Sequence, residues 1–202
     1  SAASDVYKRQ PADLLSLFQR PVREVRLEIG FGGAEHLLAA ARAEPDVGFI
    51  GVEPFINGMA KALAAIQRED LDNIRLWAND AAPLLKAWPP ASLARIDLFY
   101  PDPWPKRRQR KRRFVSAETL RDIGTALKVG GEFRFASDID DYVGWTLARV
   151  AAEPGLIWTA AAARDWLEPF GGWVRTRYEA KAIAEGRKPS YLVMRRVNAS
   201  AG

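Results

Sequence analysis

Ile96-Asp-Leu-Phe-Tyr-Pro-Asp-Pro-Trp-Pro-Lys-Arg-Arg-Gln-Arg-Lys-Arg-Arg-Phe114 is the stretch from which the rest of the chain can be read. Its first residues, Ile96 to Tyr100, are an apolar run of strand length. Prolines at 101, 103 and 105 then stiffen a loop that holds Asp102 and Trp104. Of the eight residues from Lys106 to Arg113, seven are cationic. A buried strand that delivers an acid and an aromatic beside a dense basic tract predicts a reaction site next to an anion-binding surface.

Charge elsewhere supports that reading. The net charge is +5, and subtracting the seven cations of this tract leaves −2, so the basicity is local. A clustered patch makes a directional field suited to a polyanion. A solvated charged loop is the bland alternative. The chain has no cysteine and a single histidine, His36. That excludes disulfides, thiolate chemistry and multi-histidine zinc motifs, and no metal is expected. No apolar run approaches membrane length and no signal pattern is present, so a cytoplasmic protein is expected.

Outward from the central stretch, strand and helix patterns alternate. Val25 to Ile29, Gly48 to Val52, Asn73 to Trp77, Ile96 to Tyr100 and Glu132 to Ala136 read as strands. Ala34 to Ala43, a face of Phe55, Met59, Leu63 and Ile66, Ala81 to Trp88, a helix capped by Ser116, and one after Asp138 read as the helices between and after them. Five such units in succession predict an α/β fold with a doubly wound, mainly parallel sheet. Trp173 to Tyr178 and Tyr191 to Val197 look like strands flanking a polar helix, Glu179 to Glu185, and predict an antiparallel addition at the sheet edge. Leu14 to Phe18 reads as a helical turn on the core. Residues 1–10 are expected to be a disordered or artefactual segment, with one domain over 11–198.

Ligands of open parallel sheets bind beyond the carboxyl ends of the strands. Glu28, Glu53, Asp80, Asp102 and Asp138 stand at five successive strand ends. Gly30-Phe-Gly-Gly33 follows the first strand, where glycine allows positive φ and close ligand approach. Glu28 and Glu35 bracket this turn and would repel a pyrophosphate, favouring a cationic ligand such as a sulfonium with its amino group. Glu53 is placed for ribose hydroxyls and Asp80 for an adenine amino group. Each acid could instead cap the helix that follows it.

Leu27-Glu-Ile-Gly-Phe-Gly-Gly, Gly51-Val-Glu-Pro-Phe, Asn79-Asp-Ala, Tyr100-Pro-Asp-Pro-Trp-Pro-Lys with Lys111-Arg-Arg, and Thr176-Arg-Tyr-Glu occur in this order. The chain so resembles the bacterial tRNA (guanine-N7-)-methyltransferases from about Pro11 to Arg196. The proline-rich block and Thr-x-Tyr-Glu are the specific motifs; the glycine and ribose motifs are common to class I methyltransferases. The resemblance implies a Rossmann-like class I sheet, S-adenosyl-L-methionine as methyl donor (leaving S-adenosyl-L-homocysteine), and a guanine of the tRNA variable loop, position 46 by tRNA convention, as acceptor. It implies cofactor contacts at Glu28, Gly30, Gly32, Glu53, Asp80 and Asp102, with Asp102 also catalytic. Lys106, Asp138, Thr176, Arg177, Tyr178 and Glu179 are the implied substrate contacts. Arg107, Arg108, Arg110, Lys111, Arg112 and Arg113 are expected along the RNA backbone, in a tract mobile without RNA. The partner is tRNA, with no membrane and no obligate protein partner, in a monomer or weak homodimer.

Three departures matter. Glycine is frequent in the family where Ala34 sits, a change expected to alter helix packing. Gln109 replaces a common histidine, so no histidine base stands there, and Ser137 replaces a frequent threonine. Thr-x-x-Glu is also a capping box, and Asp138 could cap the next helix. Trp104 could stack on a flipped base or pack under its loop, and His36 is expected to be structural or at the surface. The rival readings are an oxidoreductase using a nicotinamide cofactor, a non-catalytic RNA-binding module, and an enzyme methylating an exocyclic base amine.

Overall fold

The computed structural model describes residues 13–199; the segment 1–10 singled out above lies outside them. The strands are β1 (Val25–Ile29), β2 (Gly48–Val52), β3 (Ile74–Trp77), β4 (Leu93–Phe99), β5 (Leu127–Ser137), β6 (Leu156–Trp158) and β7 (Ser190–Arg196). The helices are α1 (Glu35–Ala43), α2 (Ile56–Glu69), α3 (Ala81–Ala87), α4 (Ala117–Ala126), α5 (Asp140–Ala151), α6 (Arg164–Leu167) and α7 (Arg177–Ala184). Short 3-10 helices form at Leu14–Leu17 and Arg107–Arg112. The sheet has seven strands in the order β3-β2-β1-β4-β5-β7-β6. β1 to β5 pair in parallel, and β7 runs antiparallel to both β5 and β6. Strand order reverses between β1 and β4, which opens a crevice at their carboxyl ends.

The two faces of the central strands differ. One face carries Leu27, Ile29, Ile96, Leu98, Phe133 and Phe135, all buried, beneath Leu84 and Leu85 of α3, Leu120 and Ile123 of α4, and Tyr142 and Val143 of α5. On the other face the apolar side chains of α1 and α2, Leu37, Leu38, Ala62 and Ala65, pack against Phe49 and Ile74 over the β2–β3 half. Between them the pleat brings Glu28, Asp97 and Arg134 into one cross-strand row. Arg134 donates to both Asp97 oxygens, at 2.7 and 2.9 Å, and Arg95 adds a contact at 3.0 Å. Burial alone would raise the Asp97 carboxyl, but Arg134 and Arg95 hold it below the ordinary carboxylate range.

Three expectations need correction. Trp173 to Tyr178 is not a strand. The free edge of β7 is taken by β6, so the segment folds as a loop ending in α7, with the Arg177 amide donating to Glu35 at 3.0 Å. β6, only three residues long, was too short to stand out. The fifth strand begins at Leu127 and runs through Gly130-Gly131, because Gly130 reaches φ +82° and a side chain at Gly131 would press on the Ala94 carbonyl. Ala34, finally, lies at φ +63°. Its departure from glycine therefore bears on backbone strain at the start of α1. No helix among the described residues is long and apolar enough to cross a membrane.

Asp97→Ala leaves two cations in the sheet without a counter-ion, and is expected to lower the unfolding free energy by about 3–5 kcal/mol in urea titrations. Because the folded carboxyl titrates below its unfolded value of about 3.9, its stabilisation is complete above that value. It is lost as pH falls through the folded value. Asp97→Asn should therefore flatten the acid limb of the stability curve.

Candidate active site

The crevice at the strand ends comprises two adjoining cavities of about 220 and 500 Å³. Gly30, Gly32, Phe99, Tyr100 and Tyr178 line both. Glu28, Phe31, Gly33, Glu35, His36 and Thr176 complete the smaller one. The larger is bounded by Glu53, Phe55, Asn79, Asp80, Asp102, Pro103 and Phe114. Four of the five strand-end acids thus converge on one crevice. Asp138, the fifth, is buried behind Tyr178, whose hydroxyl reaches its two oxygens at 3.1 and 3.2 Å.

The first loop is built to be approached. Gly30 and Gly32 lie at φ +66° and +54°, and a Cβ on either would point into open space. Glu53 fixes the turn: its Oε2 accepts from the Gly32 amide at 2.9 Å and its Oε1 from the Phe55 amide at 3.2 Å. Each oxygen keeps a further acceptor position. Glu28 is buried and bonded to His36 Nδ1 at 2.5 Å. His36 is a buried partner of that acid, with its ring against Phe99 and Trp173 at 4.8 and 5.0 Å. Asp80 stands at the start of α3 without capping it, so its exposed carboxylate is available to the crevice.

The loop after β4 is strained. Tyr100 and Trp104, each preceding a proline, take φ +50° and +42°. Non-glycine residues hold such values at a cost of about 1–3 kcal/mol each, where surroundings over-determine them. The result turns Asp102, itself exposed, toward the larger cavity. Trp104 is half-buried, with the Arg112 guanidinium 4.9 Å over its ring.

The Thr176-Arg-Tyr-Glu179 motif divides by role. Thr176 caps α7 by accepting from the Glu179 amide at 3.2 Å. The Glu179 side chain does not complete the capping box. It is fully buried, taking Trp173 Nε1 at 2.6 Å and the Tyr191 hydroxyl. Its assignment as a direct substrate contact is corrected accordingly: the carboxylate is spent on ordering the aromatic wall. Tyr178 and Arg177 are exposed. Asp138 does not cap α5; Arg187 pairs with it at 2.6 Å. Burial and the Asp138 carboxylate push the Tyr178 phenol up, so it remains a donor.

The cationic tract divides into exposed and enclosed side chains. It forms a 3-10 helix with Lys106, Arg107, Arg108, Lys111 and Arg112 exposed. Arg110 is half-buried and pairs with Asp141 at 3.1 Å. Arg113 is buried, which removes it from the set able to touch RNA. Its Nε donates to the Pro103 carbonyl at 2.7 Å and its Nη2 to Asp141 at 2.5 Å. His36, expected to be structural or at the surface, is structural, and sequence reasoning missed the crevice-supporting roles of Arg134, Trp173 and Arg187. Arg134 gave a signal, as a cation inside an apolar strand, whereas Trp173 and Arg187 lie in loops and gave none.

Comparisons with known proteins agree with this geometry. A family model described as "Putative methyltransferase" matches residues 22–191. A tRNA (guanine-N(7)-)-methyltransferase of Chelativorans sp. (strain BNC1) is 56% identical over 193 residues, covering 96% of this chain and 83% of the relative. The Rhizobium meliloti (strain 1021) protein of the same name is 54% identical over 192 residues, 95% and 83% of the two chains. Among solved structures, the 16S rRNA methyltransferase KamB superposes with a TM-score of 0.62 at 18% identity, covering 87% and 88% of the chains. The aminoglycoside resistance methyltransferase NpmB1 gives 0.60 at 20%, with the same coverage. These last two show the fold alone. On the strength of the family model and of relatives matched along nearly its whole length, the chain belongs to the tRNA (guanine-N(7)-)-methyltransferase family.

Proposed function

We propose that this protein transfers the methyl group of S-adenosyl-L-methionine to N7 of a guanine in the tRNA variable loop, position 46 by tRNA convention. It does so as a single cytoplasmic domain over 11–198, a monomer or weak homodimer. The observation that carries this reading is the convergence of Glu28, Glu53, Asp80 and Asp102 on one crevice whose lining also includes Pro103, three residues before the cationic tract, and Phe114, directly after it.

The crevice fits the methyl donor. Glycines without neighbours leave the first turn open to it, Glu28 offers a carboxylate for its amino group, Glu53 retains acceptor positions for ribose hydroxyls, and Asp80 one for the adenine amine. When bound, the sulfonium supplies an electrophilic methyl group. Guanine N7 carries an in-plane lone pair and no proton, so the protein needs neither a base nor a metal for this step. Its task is alignment, which can supply several kcal/mol of the barrier. Asp102 orients the guanine through its N1 and N2 hydrogens and offsets the positive charge arriving on the purine. Tyr178, Arg177 and Thr176 border the base, with Asp138 behind Tyr178 as an acceptor it can release. Lys106, Arg107, Arg108, Lys111 and Arg112 take backbone phosphates, and Trp104 offers a face for stacking once Arg112 turns to RNA.

The direct test incubates unmodified tRNA with labelled S-adenosyl-L-methionine and maps the product. Methyl at guanine N7 supports the reading; methyl on an exocyclic amine, or none, overturns it. Asp102→Asn should reduce turnover on the order of 100-fold with tRNA binding retained. Replacing Arg107, Arg108 and Arg112 by Ala should reduce the slope of log affinity against log salt by about 2.

A Cβ on Gly58, in the first turn of α2, would collide with the Gly32 carbonyl oxygen. Gly58→Ala must shift the glycine turn at an overpacking cost of about 1–3 kcal/mol. Calorimetry should show the cofactor dissociation constant raised about tenfold, with tRNA affinity unchanged.

A further inference from the structure

Arg113 stands apart from the other cations of its tract. Its side chain is completely enclosed while its neighbours face solvent. The guanidinium lies 4.8 Å over the Tyr142 ring and 4.9 Å over that of Trp145, both on α5. One nitrogen holds the Pro103 carbonyl and another holds Asp141. The same two aromatics grip the chain just beyond it: Trp145 Nε1 donates to the Val115 carbonyl at 2.8 Å, and the Val115 amide donates to the Tyr142 hydroxyl at 3.2 Å. Asp141 also receives Arg110, so one carboxylate ties two tract arginines to α5.

Pro103 immediately follows Asp102, and its carbonyl precedes Trp104, one of the two strained residues of the loop. A buried guanidinium that donates once to that carbonyl and once to Asp141 is a brace between the strained loop and α5. We infer that Arg113 is a positioning residue for methyl transfer: it locks the Asp102 loop to α5 and links docking of RNA on the exposed arginines to the placement of Asp102. This rests on the reading of Asp102 given above and adds a residue that touches neither the methyl donor nor RNA. Lysine cannot replace it, because a single ammonium lacks the planar fork that reaches Pro103 and Asp141 together.

Steady-state and equilibrium measurements on Arg113→Lys and Asp141→Asn separate this role from the alternatives. Asp141 is half-exposed on the surface, so its variant keeps the core of the fold intact. Both substitutions are expected to lower kcat on the order of 10- to 100-fold. The KM for tRNA, the salt slope of tRNA binding and the cofactor dissociation constant should stay within twofold of the parent. Arg113→Ala, if it folds, should resemble Arg113→Lys; if it does not, the other two variants decide. An unchanged kcat in Arg113→Lys and Asp141→Asn overturns the inference. So does a salt slope reduced by about one in Arg113→Lys, the signature of a lost phosphate contact. A parent protein that forms no N7-methylguanine would instead refute the underlying reading, which separates the two failures.

Discussion

The ion pair between Asp97 and Arg134 is the constraint on which the crevice depends. It sits buried in the middle of the sheet, beside His36 of α1 and the aromatic wall, and it joins β4 to β5. Such a pair adds little net stability compared with apolar packing, yet breaking it strands a charge. What it secures is geometry. Arg134 lies 4.7 Å from the Phe170 ring and 5.4 Å from that of Phe99. Phe99 and Phe170 pack on Trp173, which bonds to Glu179. The chain of contacts runs from a buried charge through an aromatic wall to the start of α7. On the other side Asp97 is the cross-strand neighbour of Glu28, which His36 holds in place.

The second constraint is the loop after β4. Three prolines and two left-handed residues give it one shape, and Arg113 clamps that shape from below. Stiffness there suits a reaction that needs alignment and no proton transfer. The cost in strain is recovered where the loop projects Asp102 into the crevice beside the glycine turn. The tract that follows is therefore two things: exposed arginines suited to phosphates, and an internal brace.

Much of this was legible in the sequence. Apolar runs at regular intervals placed β1 to β5, and the acids at their ends marked the crevice. That worked because parallel strands are buried on both faces and their loops share one edge. The signal failed where local pattern was overruled by tertiary context. Trp173 to Tyr178 alternates like a strand, but β6 holds the sheet edge. Arg113 looks like any cation of its run, and only packing against Tyr142 and Trp145 distinguishes it. Thr176 to Glu179 fits a capping box, yet the Glu179 side chain is claimed by Trp173 and Tyr191. Cross-strand rows such as Glu28, Asp97 and Arg134 depend on register, which no single segment encodes.

The central claim is that the cofactor and the guanine meet in one crevice with Asp102 at the base. A crystal structure with S-adenosyl-L-homocysteine and tRNA measures this most directly. The account predicts guanine N7 facing the cofactor sulfur across the larger cavity, with the Asp102 carboxylate on the N1–N2 edge of the base. A guanine bound outside that cavity, or an Asp102 turned to solvent in the complex, would contradict it.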